Sequence, residues 1–243
     1  MNFDPAVFFA ALTSQGFRNG ALLAIALTVV AQLTAVVIGL VIALLRSSGN
    51  RVLRGTGWTY VWIFRAIPTL VQILFVWNAL PQLFPALKED WFSPFIAAWL
   101  ALSINEGAYM AEIIRSGLLA VDEGQQLAAR ALGMTPFSVF RRVVLPQVMR
   151  VIIPPTANEF ITMLKITSLA SAISLQELLS YTQTSISITF RFAEYYAAAA
   201  IYYLVIVSIF MAFQAWLERR FQWRSQRGES GRLATTLRGL GAR

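Results

Sequence analysis

The chain has 243 residues, 57% of them hydrophobic and only 13% charged, and its net charge is +8 with neither histidine nor cysteine. A soluble domain carries roughly a quarter charged residues, so an ordinary soluble globule is excluded. Without cysteine there are no disulfides or thiolate metal sites. Without histidine there is no Ser–His pair for hydrolysis, so no catalytic residue and no metal site are expected.

In chain order, residues 1–18 carry Asp4 and no basic cluster ahead of an apolar run. They do not read as a cleavable signal peptide and are expected to be an extracytoplasmic N-terminal segment. Long uncharged runs follow: Ala21 to Leu45, Ala66 to Leu87 and Tyr195 to Leu217, of 25, 22 and 23 residues. Each exceeds the roughly 20 helical residues that cross a hydrocarbon core of about 30 Å. Runs apolar on every face indicate lipid, because a soluble core helix needs only a stripe. The expected fold class is an all-α membrane protein with a transmembrane domain over 19–218 and five spans, near 19–45, 58–84, 92–115, 151–168 and 195–217. The fourth span contains Pro154, Pro155, Glu159 and Lys165, a pattern tolerated where a helix faces a bundle interior.

Basic residues orient the spans. Arg46, Arg51, Arg54 and Arg65 follow the first span, and Arg115, Arg130, Arg141, Arg142 and Arg150 lie around the 116–150 loop. Seven more arginines lie at 219–243, so these three segments hold sixteen of the twenty Lys and Arg residues. With five spans all three segments share one side, which the positive-inside rule makes cytoplasmic. The N-terminus is then outside and the C-terminus inside. Tail 219–243, rich in Arg, Gly and Ser, is expected to be disordered and cytoplasmic, and the basic charge needs no nucleic acid to explain it. Trp58, Trp62, Trp91, Trp216 and Trp223 fall near span ends, as interfacial aromatics do.

The 116–150 loop exceeds the roughly 2–8 residues usual between bundle helices. It holds two helical patterns separated by Gly133-Met134-Thr135-Pro136. Asp122 and Glu123 lie at the N-terminus of the first, where the helix dipole favours anions. Leu127, Ala131 and Leu132 form its apolar side. Thr135 and Pro136 suit the cap and first turn of the second, with Phe137, Phe140, Val143 and Val144 on one side and Arg141 and Arg142 on another. A structured, partly apolar element of this kind suits docking to a partner.

Gly124-Gln125-x-x-Ala128-Ala129-Arg130-x-Leu132-Gly133, followed by Val143-x-Leu145-Pro146-Gln147, resembles the cytoplasmic "EAA" signature of ABC-importer permeases. Three further blocks resemble the polar amino-acid subfamily, of histidine, glutamine and arginine type. They are Arg65-Ala66-Ile67-Pro68-Thr69-Leu70-Val71-Gln72; Asn105-x-x-Ala108-Tyr109-x-x-Glu112-Ile113-x-Arg115; and Pro154-Pro155-x-x-Asn158-Glu159-Phe160 with Lys165-x-Thr167-Ser168-Leu169. The resemblance implies a type I ABC importer permease in the bacterial inner membrane. Its coupling helix, carried on Asp122, Glu123, Gly124, Gln125, Ala128, Ala129, Arg130, Gly133 and Pro146, would dock on a pair of ATPase subunits that hold ATP and magnesium. A second permease chain, identical or a sister, and an extracytoplasmic amino-acid-binding protein complete the implied assembly. No cofactor is expected on this chain, which has no Gly-x-x-x-x-Gly-Lys-Ser/Thr. Leu127 stands where the family usually has the glutamate of "EAA", and Ile166 where it commonly has a polar residue.

Polar residues inside the spans are costly, at least about 2.5–3.5 kcal/mol for a mid-bilayer charge. Asn158, Thr162, Lys165 and Ser168 share a helical face, and Asn105, Tyr109, Glu112 and Ser116 form a similar stripe. The translocation candidates are Arg65, Pro68, Asn105, Glu106, Tyr109, Asn158, Glu159, Thr162, Lys165, Thr167 and Ser168. Lys165 would attract a carboxylate, and Glu106 or Glu159 an ammonium or cationic side chain. The alternative is purely structural: Glu112 pairs with Arg115 at i+3, the preferred reading for that residue, and Lys165 pairs with a span-three carboxylate. Pro81, Pro85 and Pro154 are expected to be fixed kinks at helix ends, while Pro68 and Pro155 could equally be hinges. The competing function is an ion-coupled carrier or channel working without an ATPase.

Overall fold

The computed structural model describes residues 3–221, and every regular element among them is helical. Segment 1–18 contains a helix of its own, α1 (Pro5–Thr13), opened by Asp4, whose carboxylate accepts from the Ala6 N–H at 2.9 Å. Ser14 ends α1 and caps α2 (Gln15–Arg46) by accepting from the Phe17 N–H. At 1.5 Å per residue α2 is about 48 Å long, longer than the hydrocarbon core. Its buried Ala24, Ala31, Ala35, Gly39 and Ala43 form a stripe of small residues against α6 (Pro94–Leu119). A Cβ on Gly39 would stand 2.5 Å from the Met110 Cβ and 2.9 Å from the Ala111 N, so here the two backbones touch. Small side chains permit that approach in helical membrane proteins.

Residues 58–84, expected as one span, are bent by 101° between α3 (Arg51–Ala66) and the stretch that begins with α4 (Thr69–Leu74). Pro68 causes this: it has no N–H, and its ring pushes the preceding residue out of the helical region. Ile67 is accordingly extended. The freed carbonyls are answered by side chains. Gln72 donates through Nε2 to Phe64 O at 3.0 Å and Ile67 O at 2.8 Å, and Asn105 donates through Nδ2 to Phe64 O at 2.8 Å. A π turn (Phe75–Ala79) leads to α5 (Leu80–Leu83) and a 3₁₀ turn (Pro85–Lys88). Pro81 and Pro85 occupy first turns, where no N–H is needed.

Beyond α6 come α7 (Glu123–Ala131), α8 (Pro136–Val139) and a π turn (Phe140–Val144) that runs into α9 (Leu145–Ile166). Helix α9 continues through Pro154 and Pro155, so Pro154 is not at a helix end as expected. It gives way at Thr167 to a 3₁₀ segment (Thr167–Ile173), and Ser168 therefore leaves the α-helical face assigned to it. An unexpected helix, α10 (Leu178–Thr189), is capped by buried Glu177, which accepts from the N–H groups of Leu179 and Ser180 at 2.9 and 2.7 Å. The last helix, α11 (Phe192–Phe221), meets α1, where Asp4 N–H donates to Glu194 and Tyr202 hydroxyl to Leu12 O. The tail expected to be disordered lies, from residue 222 on, outside the described residues.

By length and composition, α2 and α11 qualify as membrane spans and the bent 51–83 pair makes a third. Helices α6 and α9 are interrupted by Asn105, Glu106 and Glu112, and by Asn158, Glu159 and Lys165, and they pack at the centre. The core runs through Leu27, Ala31, Ile73, Ala101, Leu102 and Met163. Phe17, Tyr181, Tyr195 and Tyr202 form an aromatic cluster beside the α1 end.

Candidate functional site

Two regions concentrate the chemistry. The first is the segment between α6 and α9. Asp122 caps α7 by accepting from the Gly124 N–H at 2.7 Å, and Thr135 caps α8 by accepting from the Ser138 N–H. Gly133 ends α7 with φ +80°, while the Met134 N–H reaches Ala129 O and the Gly133 N–H reaches Arg130 O. That pair of bonds closes a helix with a left-handed glycine. Val121, Ala129, Val139, Val144 and Val148 give the loop a small core of its own. The expected apolar side of α7 is not packed against this chain: Leu127 is 64% and Leu132 84% exposed, with Phe137 69% exposed beside them. Glu123, Ala128, Arg130 and Pro146 are also at the surface. Gln147 on α9 donates to Gln125 Oε1 at 2.7 Å and to Val143 O at 2.8 Å, tying α7 to the base of α9.

The second region lies among α2, α3, α6 and α9. Glu112 does not pair with Arg115 as expected; Arg46 of α2 takes it at 2.5 Å, and Arg65 of α3 stands 3.9 Å away. Facing helices bring these arginines in, whereas the i+3 neighbour only runs alongside. Arg65 also lies over the Tyr109 ring, 5.0 Å from its centroid. Together with Trp58 and Trp62 these charges wall a cavity of about 320 Å³.

Asn105, a pathway candidate, is engaged at the bend, with Thr69 Oγ1 3.4 Å from its Oδ1. Its neighbour Glu106 is 5% exposed, and its Oε1 is buried without a hydrogen-bond partner among the described residues. Glu159, on α9, is half-buried. Asn158 and Lys165 are exposed and Thr162 half-buried. The hydroxyls of Thr162, Thr167 and Ser168 donate back to carbonyls of their own chain segment, at Asn158, Leu164 and Lys165. Among the described residues no carboxylate comes within 4.0 Å of Lys165, so the bundle-holding pair of the structural alternative does not form.

Sequence reasoning passed over three functional side chains. From sequence Arg46 reads only as an orientation charge, and Gln72 and Gln147 lie inside motifs without a role of their own. An amide four residues after Pro68 in an apolar run was the available signal for Gln72, since the proline frees a carbonyl that needs a donor.

A helical membrane bundle, broken at its second span and carrying an outward-facing apolar loop, defines a transport permease. Residues 35–223 match the family described as the inner membrane component of binding-protein-dependent transport systems, and the chain belongs to that family. It is 42% identical over 229 residues to the arginine transport system permease protein ArgU of Corynebacterium glutamicum, covering 90% of this chain and 72% of that protein. It is 33% identical to the glutamine transport system permease protein GlnP of Escherichia coli K12, covering 91% and 99%. Among solved structures, a chain of an amino acid ABC transporter with histidines superimposes with a TM-score of 0.79 at 36% identity, covering 90% of this chain and 100% of that one. A chain of the inward-facing MetNI methionine ABC transporter shares the fold, with a TM-score of 0.71 at 20% identity over 86% and 97%. The architecture is therefore that of a type I ABC importer permease. Family membership decides between permease and self-contained carrier in favour of the permease, and places the ATPase on another subunit.

Proposed function

We propose that this chain, paired with a second permease, forms the pathway by which a polar amino acid with a cationic group enters the cell. An extracytoplasmic binding protein delivers the amino acid, and two ATPase subunits holding ATP and magnesium drive its passage. The observation that carries the substrate class is Glu106, buried with an unanswered oxygen on α6, which packs against the α9 helix that carries Glu159. A carboxylate removed from water costs several kcal/mol unless a cation or donors meet it. An ammonium or guanidinium arriving between α6 and α9 supplies both. Lys165 and Arg65 would receive the substrate carboxylate. Relatives named for arginine and for octopine transport fit this reading.

Coupling is assigned to the 122–146 segment. Its exposed Leu127, Leu132 and Phe137 form the apolar patch that the ATPase would cover, and the Gln125–Gln147 bond would pass the displacement to α9. The orientation puts this segment, Arg46 and the C-terminal end of α11 in the cytoplasm. In support, Arg46 meets Glu112 while Gly117 packs on Val148 and Ile152, which gathers the basic segments at one end of the bundle.

The test is uptake by the reconstituted complex. Wild type should import labelled arginine only with ATP, and vanadate should block it. Glu106→Gln should lower arginine uptake about tenfold or more, as expected for loss of a charge-assisted bond, with less effect on glutamine. Equal, unchanged uptake of both would refute the assignment of Glu106. Transport without ATP would refute the assembly.

A further inference from the structure

A second cavity lies on the other side of α9. It has a volume of about 450 Å³ and is walled by α2, α6, α9 and α11, from Gln32, Ile161 and Phe210 at one end to Met149 and Leu217 at the other. Its lining is almost wholly apolar, and the Thr156 hydroxyl in its wall is already bonded to Ile152 O. At 100° per residue, Met149, Ile153, Thr156 and Phe160 lie about 180° round the helix from Asn158, Thr162 and Lys165. The cleft therefore backs away from the polar stripe.

Two dimensions identify an occupant. From Met149 to Ile161 the cleft follows α9 for about 18 Å, close to the 15 Å or so of one leaflet of a 30 Å hydrocarbon core. At one end it is closed by the Phe160 and Phe210 rings, 4.9 Å apart. At the other, basic residues stand immediately beyond the lining: Arg219 and Arg220 follow Leu217. An apolar slot one leaflet deep with cations at its mouth complements one kind of molecule.

We infer that this cleft seats an acyl chain of an anionic phospholipid, with its headgroup phosphate at Arg219 and Arg220. Phosphate suits arginine, whose guanidinium offers paired donors. In the orientation proposed above the lipid belongs to the cytoplasmic leaflet, where basic pockets between membrane helices bind anionic headgroups. The chain would wedge α11 from α9, the helix that bears Glu159 and Lys165.

The test reads lipid retention, so its outcome is independent of whether the transport assignment holds. The assembled transporter, exchanged into neutral detergent with dioleoyl phosphatidylglycerol or phosphatidylcholine, is analysed by native mass spectrometry. Wild type should retain phosphatidylglycerol in preference to phosphatidylcholine. Ala157→Phe, which fills the slot, should lose the retained lipid. The double change Arg219→Gln with Arg220→Gln should still retain lipid but lose selectivity, by about fivefold per charge. Should Ala157→Phe fail to assemble, Met149→Trp blocks the mouth instead and should also lose the lipid. Retention by the slot-filling variants equal to wild type, or no preference for the anionic lipid in wild type, would overturn the inference. So would cross-linking of Ala157→Cys to the second permease chain.

Discussion

Glu106 and Gly133 show how single residues carry unequal kinds of constraint. Glu106 is costly to bury as a carboxylate, and its Oε1 has no hydrogen-bond partner among the described residues. Gly133 is required by backbone conformation: at φ +80° an L residue is strained by roughly 1–2 kcal/mol. A Cβ there would meet nothing within 4 Å, so the strain comes with no internal clash. Gly133→Asp should therefore leave the amount of protein in the membrane near wild type, because this loop is peripheral to the core. It should abolish uptake and substrate-stimulated ATP hydrolysis, because the added side chain projects from the turn beside the apolar patch. Immunoblotting of membranes against uptake separates these effects, and loss of the protein itself would contradict the expectation. Leu127 belongs to the same surface: 64% exposed, it presents hydrocarbon where the family usually has a carboxylate, so the docking proposed there would rest on burial of apolar area.

At the scale of elements, the bend between α3 and α4 is the feature most dependent on side chains from elsewhere. Pro68 turns the chain, yet the carbonyls it frees would be unpaired in a medium without water. Gln72 bonds two of them, and Asn105 of α6 shares one. In Gln72→Leu, Ile67 O loses the bond from Gln72 while Phe64 O keeps the one from Asn105. A loss of about 1–3 kcal/mol is expected, seen as a lower thermal midpoint of the detergent-solubilised protein. Pro68→Ala restores the missing N–H and frees Ile67 to become helical, so the bend should open, measurable as a longer spin-label distance across 58 and 80. The clamp of Arg46 and Arg65 on Glu112 joins α2, α3 and α6 just below that bend. It thereby links the first span to the hinge-like second.

For the whole molecule, the absence of cysteine makes orientation directly testable. A single Thr135→Cys in the α7–α8 turn should react with an impermeant maleimide only after the cytoplasmic face is opened. Asn19→Cys, near the start of α2, should react on intact spheroplasts. Reversal of the two patterns would invert the proposed topology and move the coupling segment away from any cytoplasmic ATPase. Both positions are at the surface or close to it, so accessibility alone does not decide the result. The arrangement has a mechanical logic. The Gln125–Gln147 bond sits at the foot of α9, and the same helix carries Glu159 about three turns and Lys165 about five turns further on.

The helical class and the three uncharged runs followed from composition, because lipid demands apolar side chains over a length set by the bilayer. Capping at Asp122 and Thr135 was equally legible, since those bonds are local in sequence. Pairings across the bundle were not. Glu112 has Arg115 one turn away along its own helix, but packing of α2 and α3 on α6 delivers Arg46 and Arg65 instead. Residues 58–84 read as one span because hydropathy registers side chains and not backbone direction; only the contacts of Gln72 and Asn105 make a sharp bend at Pro68 tolerable. The apolar side of α7 was visible as a pattern, whereas its exposure required knowing that the loop builds its own core from Ala129 and the valines. Sequence determined what each segment could be in a membrane. Tertiary structure decided which charges meet and which apolar surface is left for a partner, because both depend on distances between residues far apart in the chain.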